Sequence, residues 1–294
     1  MYRRNALWGL LFVSPWIIGF LWFQLYPLVL SFYYSFTDST VVKPGKFIGL
    51  DNYVKMMTND KDFFQSIKVT IIYSLIAVPA KLAFALFIAL VLNMKSRAVN
   101  FYRTVYYLPS ILGGSVAISI LWRFLFMKEG VVNQVLSSLY IPPINWLGSP
   151  QIALGTISLL VVWQFGSSMV LFLAGLKQIP HELYEAAMVD GAGRLRMLWA
   201  ITIPLLTPII FFNLVMQTIN ALQEFTAAFV VTNGGPLKST YLFGLKIYDE
   251  AFQNMKMGYA SALSWLLFAM ILILTLFIFR SARSWVHYED GGKN

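Results

Sequence analysis

Cysteine is absent from all 294 residues, which excludes disulfides, thiolate nucleophiles and thiolate metal sites together. Histidine is nearly as scarce: His181 and His287 are the only imidazoles, so a metalloenzyme has almost no ligands to draw on and no metal or other cofactor is expected in the chain. Charged residues make up 12% of the sequence, against about 25% in an ordinary soluble domain, too few to solvate the surface of a water-soluble fold of this length. No G-x-x-x-x-G-K-[ST] phosphate loop occurs, so nucleotide binding by that route is excluded. No internal repeat, no low-complexity tract and no convergent set of nucleophile and base residues is found, and the chain reads as a non-catalytic component.

What fills the sequence instead is hydrophobic residues, 58% of the total. They cluster into six runs long enough to cross a bilayer, for which about 20 helical residues are needed. The runs cover residues 7–31, 69–92, 104–127, 152–176, 205–231 and 259–279, predicting an all-α integral membrane protein forming a single domain over residues 1–294. The first run follows Arg3 and Arg4 but is longer than the apolar part of a signal peptide and lacks a small-residue cleavage site, so it is expected to be retained. The net charge of +9 does not indicate nucleic acid, because the basic residues fall singly or in pairs between apolar runs and form no stripe. Eight of the nine arginines, at positions 3, 4, 97, 103, 194, 196, 280 and 283, lie on one side if both termini are cytoplasmic. The opposite loops carry only lysine, so an N-in, C-in arrangement is expected.

The loops leave little room for a second domain. Residues 36–68 contain Pro44-Gly45 and a short amphipathic stretch beginning near Ile48. Pro142-Pro143 and Asn233-Gly234-Gly235-Pro236 mark turns in the other two loops on that side. These segments either simply join helices or meet an external partner.

The segment between the fourth and fifth runs, residues 177–204, is a compact polar insert. Pro180 suits the first turn of a helix, where its missing N–H costs nothing, and Glu182 and Glu185 lie at the positive end of the helix dipole. A helix over residues 180–189 is predicted, ended by Gly191 in a left-handed conformation. A second short helix follows Gly193 and is bounded by Pro204. Ala186, Ala187 and Ala192 with the two glycines give a surface of small side chains suited to close approach by a partner. Physical chemistry alone leaves a second possibility, an interfacial helix on lipid headgroups, which Leu183, Met188 and Trp199 would tolerate.

Glu185-Ala186-Ala187, three residues, Gly191, nine residues, then Ile201-Thr202-Ile203-Pro204 resembles the signature of ABC importer permeases. Tyr106-Tyr107-Leu108-Pro109, Leu121-Trp122-Arg123, Ala174-Gly175-Leu176 with Ile179-Pro180, Thr232 to Pro236 with Ser239-Thr240, and Gly258 to Ala262 are similar to the carbohydrate branch of that family, the maltose and glycerol-3-phosphate type. The extra N-terminal helices and large outer domain of some maltose permeases are not expected here, so contacts made by that domain are not carried over. The resemblance implies a type I importer permease fold in a bacterial or archaeal cytoplasmic membrane, with the insert forming coupling helices. It implies that Glu185, Ala186, Ala187, Asp190, Gly191, Ala192 and Gly193 meet an ATPase, with Glu185 as anchor. The implied partners are a second homologous permease, two ATPase subunits that bind ATP and Mg, an extracytoplasmic sugar-binding protein, the sugar, and membrane lipid.

Polar residues inside the apolar runs point to the path. Asn213, Gln217, Asn220 and Glu224 are spaced four, three and four apart, so at about 100° per residue they share one helix face. Such a stripe must face protein or water: it either holds the bundle together by hydrogen bonds or lines a translocation path, where amides and a carboxylate suit sugar hydroxyls. Trp163 and Gln164, with Ser167 and Ser168, form a second candidate group, although Trp also packs ordinarily. Lys81 sits near the middle of the second run, where a charge costs about 2.5–3.5 kcal/mol on insertion scales, so a partner or a wet cavity is expected; Glu224 is a candidate partner. Rival readings are a gradient-driven secondary transporter, for which broken helices and ionisable coupling residues are expected, a membrane enzyme or assembly factor, and an ABC permease for phosphate, amino acids or metals.

Overall fold

The structure, a computed structural model, describes residues 2–94 and 99–287; Arg97, assigned above to the cytoplasmic side, lies outside them. The described residues are helical apart from loops, turns and one isolated bridge between Thr37 and Phe47. Four helices are long and apolar enough to cross a bilayer: Leu11–Tyr34, Phe63–Asn93, Arg194–Leu222 and Met257–Ala282. Two bent pairs raise the number to as many as six if each counts as one span: Phe101–Leu112 with Val116–Ser138, bent by 101°, and Pro150–Trp163 with Gly166–Leu176, bent by 48°. The chain divides into two compact units.

The first unit comprises residues 1–63 and 246–269. Its N-terminal span is helix Tyr2–Phe20, a wide π-turn over Leu21–Leu25, and helix Tyr26–Tyr34. The polar stretch after it folds back so that Thr37 bridges Phe47, and the short helix Asp51–Thr58 follows. Buried Asn52 ties this stretch down by donating to the carbonyls of Ser35 and Thr37 at 2.9 and 2.8 Å. Gly258 must be glycine for close approach, because a Cβ there would lie 2.0 Å from the Thr37 carbonyl oxygen. Its N–H donates to the Ser39 carbonyl at 2.9 Å.

An ionic cluster joins the segments of this unit. The Lys246 ammonium, only 1% exposed, is 2.7 Å from the Asp60 carboxylate and 4.0 Å from Glu250. Tyr259 donates its hydroxyl to Asp60, and Lys55 lies 4.8 Å from the centre of the Tyr259 ring. Burial alone would raise the Asp60 carboxyl, but the hydrogen bonds from Lys246 and Tyr259 and the charge of Lys246 outweigh it. They hold Asp60 below the ordinary carboxylate range.

The second unit comprises residues 64–245 and 270–294. Its principal helix, Phe63–Asn93, carries Tyr73, Ala77, Lys81, Ala85 and Ala89 at intervals of four residues, and all five are buried. A repeat of small residues on one face lets helix backbones approach closely in lipid, where packing rather than hydrophobicity drives association. The same device holds Gly166–Leu176 against Ile203–Leu222: a Cβ on Gly175 would sit 2.0 Å from Ile209 Cδ1. Phe211, Val215 and Ala282 form a smaller core with Trp285 and Val286.

The insert starts one residue later than predicted, with Pro180 as N-cap of helix His181–Val189. Its second part does not stop at Pro204. Arg194–Met197 passes through a π-turn at Leu198–Thr202 into Ile203–Leu222. Proline breaks a helix when it deletes an i to i−4 bond and crowds the preceding turn; the wider turn, in which the Ile203 N–H reaches the Leu198 carbonyl, absorbs that crowding.

Candidate functional site

Three helix breaks in the second unit converge on one cavity of about 210 Å³. Membrane-embedded backbone must satisfy its polar groups internally, and a side chain does so at each break. At the first, Ser115 caps Val116–Phe126 by accepting the Ile118 N–H at 3.2 Å, after Gly113 and Gly114. At the second, between Trp163 and Gly166, Ser110 from the neighbouring helix donates to the Gln164 carbonyl and accepts the Ser167 N–H, both at 3.0 Å. At the third, after Leu222, the Glu224 carboxylate accepts the Ala227 N–H at 2.9 Å as the helix restarts.

Gln164, Gln217, Asn220 and Glu224 all line this cavity together with Lys81 and Tyr73. Two residues named with them are elsewhere. Asn213 is buried and donates its amide to the Ile209 carbonyl one turn back, at 3.1 Å. Trp163 packs against Trp122, ring centres 6.1 Å apart. Lys81 and Glu224 occupy walls of the same cavity. Tyr73 and Ser110 were missed by sequence reasoning. For Tyr73 the signal was there, since it precedes Ala77 and Lys81 by four and eight residues on one helix face.

The insert ends in a Schellman turn. The Ala192 N–H reaches the Ala187 carbonyl at 2.8 Å and the Gly191 N–H reaches Met188 at 3.0 Å, with Gly191 at φ +74°. That pattern satisfies the last carbonyls of the helix and requires a left-handed residue at Gly191. Ala187, Asp190 and Ala192 with Arg196, Met197 and Ala200 border a hollow of about 180 Å³. Glu185 and Ala186 project outward from the helix, and Gly193 is the N-cap of Arg194–Met197 at φ −72°. The insert is braced by a 2.9 Å hydrogen bond between the Tyr184 and Thr202 hydroxyls. Val189 and Leu195 are 88% and 74% exposed, so the apolar tip of the insert is uncovered in the isolated chain. Among the described residues no group of three metal-ligating side chains occurs.

Residues 81–286, which hold the insert and most of the cavity wall, match the family described as "Binding-protein-dependent transport system inner membrane component". The chain belongs to that family. It is 49% identical over 291 residues to the probable ABC transporter permease protein YesP of Bacillus subtilis (strain 168), covering 98% of this chain and 94% of that one. It is 36% identical over 283 residues to the sulfoquinovosyl glycerol transport system permease protein SmoG of Agrobacterium fabrum (strain C58 / ATCC 33970), covering 95% and 92%. The fold is also similar to a chain in the crystal structure of a bacterial ABC transporter importing the acidic polysaccharide alginate, with a TM-score of 0.82, 25% identity and 96% of each chain covered. Membership makes the chain a multi-pass transport subunit. Broken helices were expected of a gradient-driven transporter. They occur here in a member of a binding-protein-dependent transport family, so broken helices by themselves do not assign the energy source.

Proposed function

We propose that this chain is one of two homologous permease subunits of an ATP-driven importer of a sugar or oligosaccharide, forming half of the translocation path. The convergence of Gln164, Gln217, Asn220 and Glu224 on one cavity carries this reading, because amides and a carboxylate are the partners that sugar hydroxyls require. Each bent pair is one span, giving six, with both termini in the cytoplasm and the arginine-rich loops beside them. The sugar-derived substrate of the Agrobacterium relative and the polysaccharide taken up by the structurally similar importer support the substrate class.

ATP and Mg are bound by two partner ATPase subunits docked on the insert, with Glu185 as anchor and Ala186, Ala187, Asp190, Gly191, Ala192 and Gly193 giving close fit. ATPase closure draws the inserts of the two permeases together and turns the cavity outward, where an extracytoplasmic binding protein delivers the sugar. ATP shifts the equilibrium because docking contacts differ between the two states. The Schellman turn makes the insert a stiff lever, and its continuity with Ile203–Leu222 passes motion directly to the helix bearing Gln217 and Asn220.

Single cysteines at Gln217 and Asn220 test the path, since no native cysteine interferes. Both are expected to react with a membrane-impermeant maleimide in the assembled transporter, with labelling that changes between nucleotide-free and vanadate-trapped states. Complete protection in every state would make these residues packing elements.

A further inference from the structure

We propose that Tyr73 is a specificity-determining residue of the translocation path, its hydroxyl exchanging hydrogen bonds with one ring hydroxyl of the transported sugar; this rests on the sugar-permease reading above. Tyr73 is fully buried on helix Phe63–Asn93, and its hydroxyl has no hydrogen-bond partner among the described residues. Buried polar groups are nearly always paired, and leaving one unpaired is unfavourable. The hydroxyls of Ser74 and Ser168 are also buried without a partner among those residues, but neither residue borders the cavity. Tyr73 does border it, so there the missing partner and the space for a ligand coincide.

The charged groups on the same wall are already committed. The Glu224 carboxylate accepts the Ala227 N–H at 2.9 Å and interacts with the amides of Phe225 and Thr226. It also acts electrostatically on Lys81, so the two charges offset each other across the cavity. Tyr73 lies in the field of the same carboxylate without being hydrogen-bonded to it. A neutral phenol both donates and accepts, which matches a sugar hydroxyl, itself donor and acceptor. The amides of Gln164, Gln217 and Asn220 border the same space and hold the remaining hydroxyls. A site that hydrogen-bonds a substrate hydroxyl rejects the analogue lacking it, because the protein group is then left unpaired. Since the Tyr73 hydroxyl is buried in this conformation, movement of the broken helices around the cavity exposes it to the sugar. The hydroxyl therefore destabilises the empty path and stabilises the loaded one, and its removal acts on the two in opposite directions.

The test compares Tyr73→Phe with the unaltered chain, each assembled with the second permease and the ATPase subunits in nanodiscs, without the binding protein, so that only the permeases select. The probes are glucose, galactose, mannose, xylose and glucuronate with their disaccharides, followed by the monodeoxy derivatives of the sugar bound most tightly. The unaltered complex is expected to lose about tenfold in affinity for one deoxy derivative, the equivalent of one hydrogen bond. Tyr73→Phe is expected to bind the parent sugar about tenfold more weakly and to show no further loss for that derivative, since the two changes remove the same interaction. Its melting temperature without sugar equals or exceeds that of the unaltered complex, which a packing role would not produce; ATP hydrolysis verifies assembly. Unchanged affinity of Tyr73→Phe for the parent sugar, losses that add for every derivative, or an earlier melting transition with all sugars weakened alike overturns the role of Tyr73 and leaves the sugar permease standing. Binding of no sugar by an unaltered complex that hydrolyses ATP overturns the sugar reading as well.

Discussion

Replacing Gly191 by leucine is expected to abolish ATP-driven uptake while the protein still inserts and accumulates in the membrane. Gly191 occupies the left-handed position of the Schellman turn, φ +74°, where an L side chain costs about 1–2 kcal/mol. A Cβ at that position meets nothing within 4 Å, so the chain itself accommodates a side chain. On the proposed docking, the obstacle arises at the face offered to the ATPase, where a leucine would stand off the partner and the small surface of Ala187 and Ala192 would lose its fit. Gly191→Ala separates the two effects: it bears the same backbone cost with one added methyl group and retains a measurable part of the uptake. Uptake by inside-out-checked vesicles, normalised to inserted protein, measures both variants. Unaltered uptake by Gly191→Leu would remove this residue from coupling.

Asp60→Asn is expected to be the most destabilising single change in the first unit. It leaves the Lys246 ammonium, 1% exposed, without its nearest carboxylate, and breaking a buried pair from one side costs about 3–5 kcal/mol. Tyr259 also loses its charged acceptor. The cluster further sets a dependence on acid. Because the folded carboxyl is held below its ordinary value, its contribution is complete above the unfolded value and is lost as pH falls through the lowered folded one. The apparent melting temperature of the detergent-solubilised protein is therefore expected to fall in Asp60→Asn near neutral pH, and its acid dependence to flatten. Replacing Asp60 and Lys246 together by leucine recovers part of the loss, since Glu250 keeps Lys256 at 3.7 Å and no charge is then left unpaired. A wild-type melting profile for Asp60→Asn would show that the cluster does not stabilise this unit.

The insert was the most legible part of the sequence because its determinants are local. Gly191 ends a helix wherever a left-handed residue is needed, and the small residues around it are contiguous. The continuation past Pro204 was not legible, since whether proline ends a helix depends on the turn before it, and the π-turn at Leu198–Thr202 leaves no compositional mark. The stripe on the fifth span shows a different limit. Spacing gives the direction in which Asn213, Gln217 and Asn220 point on helix Ile203–Leu222, but neither the depth at which the cavity closes nor that the helix ends before Glu224. Asn213, one turn below, therefore turns its amide to the Ile209 carbonyl. The break at Gln164 was hidden because its repair comes from elsewhere in the chain, the Ser110 hydroxyl 54 residues before Gln164, whereas the one after Leu222 is repaired locally by the Glu224 carboxylate on the Ala227 N–H. Lys81 was conspicuous as a charge in an apolar run, but only the packing of three broken helices put it on the wall with Tyr73 and Gln217.

The claim that this chain takes its energy from a separate ATPase through residues 177–204 has a direct measurement. A single cysteine at Ala187, on the border of the hollow beside the Schellman turn, is paired with single cysteines around the groove of the candidate ATPase, and disulfide or short bifunctional cross-linking is scored with and without ATP. A specific cross-link whose yield changes with nucleotide is the predicted result. No cross-link at any groove position in an assembled complex would make the insert an interfacial helix on lipid and contradict the coupling role.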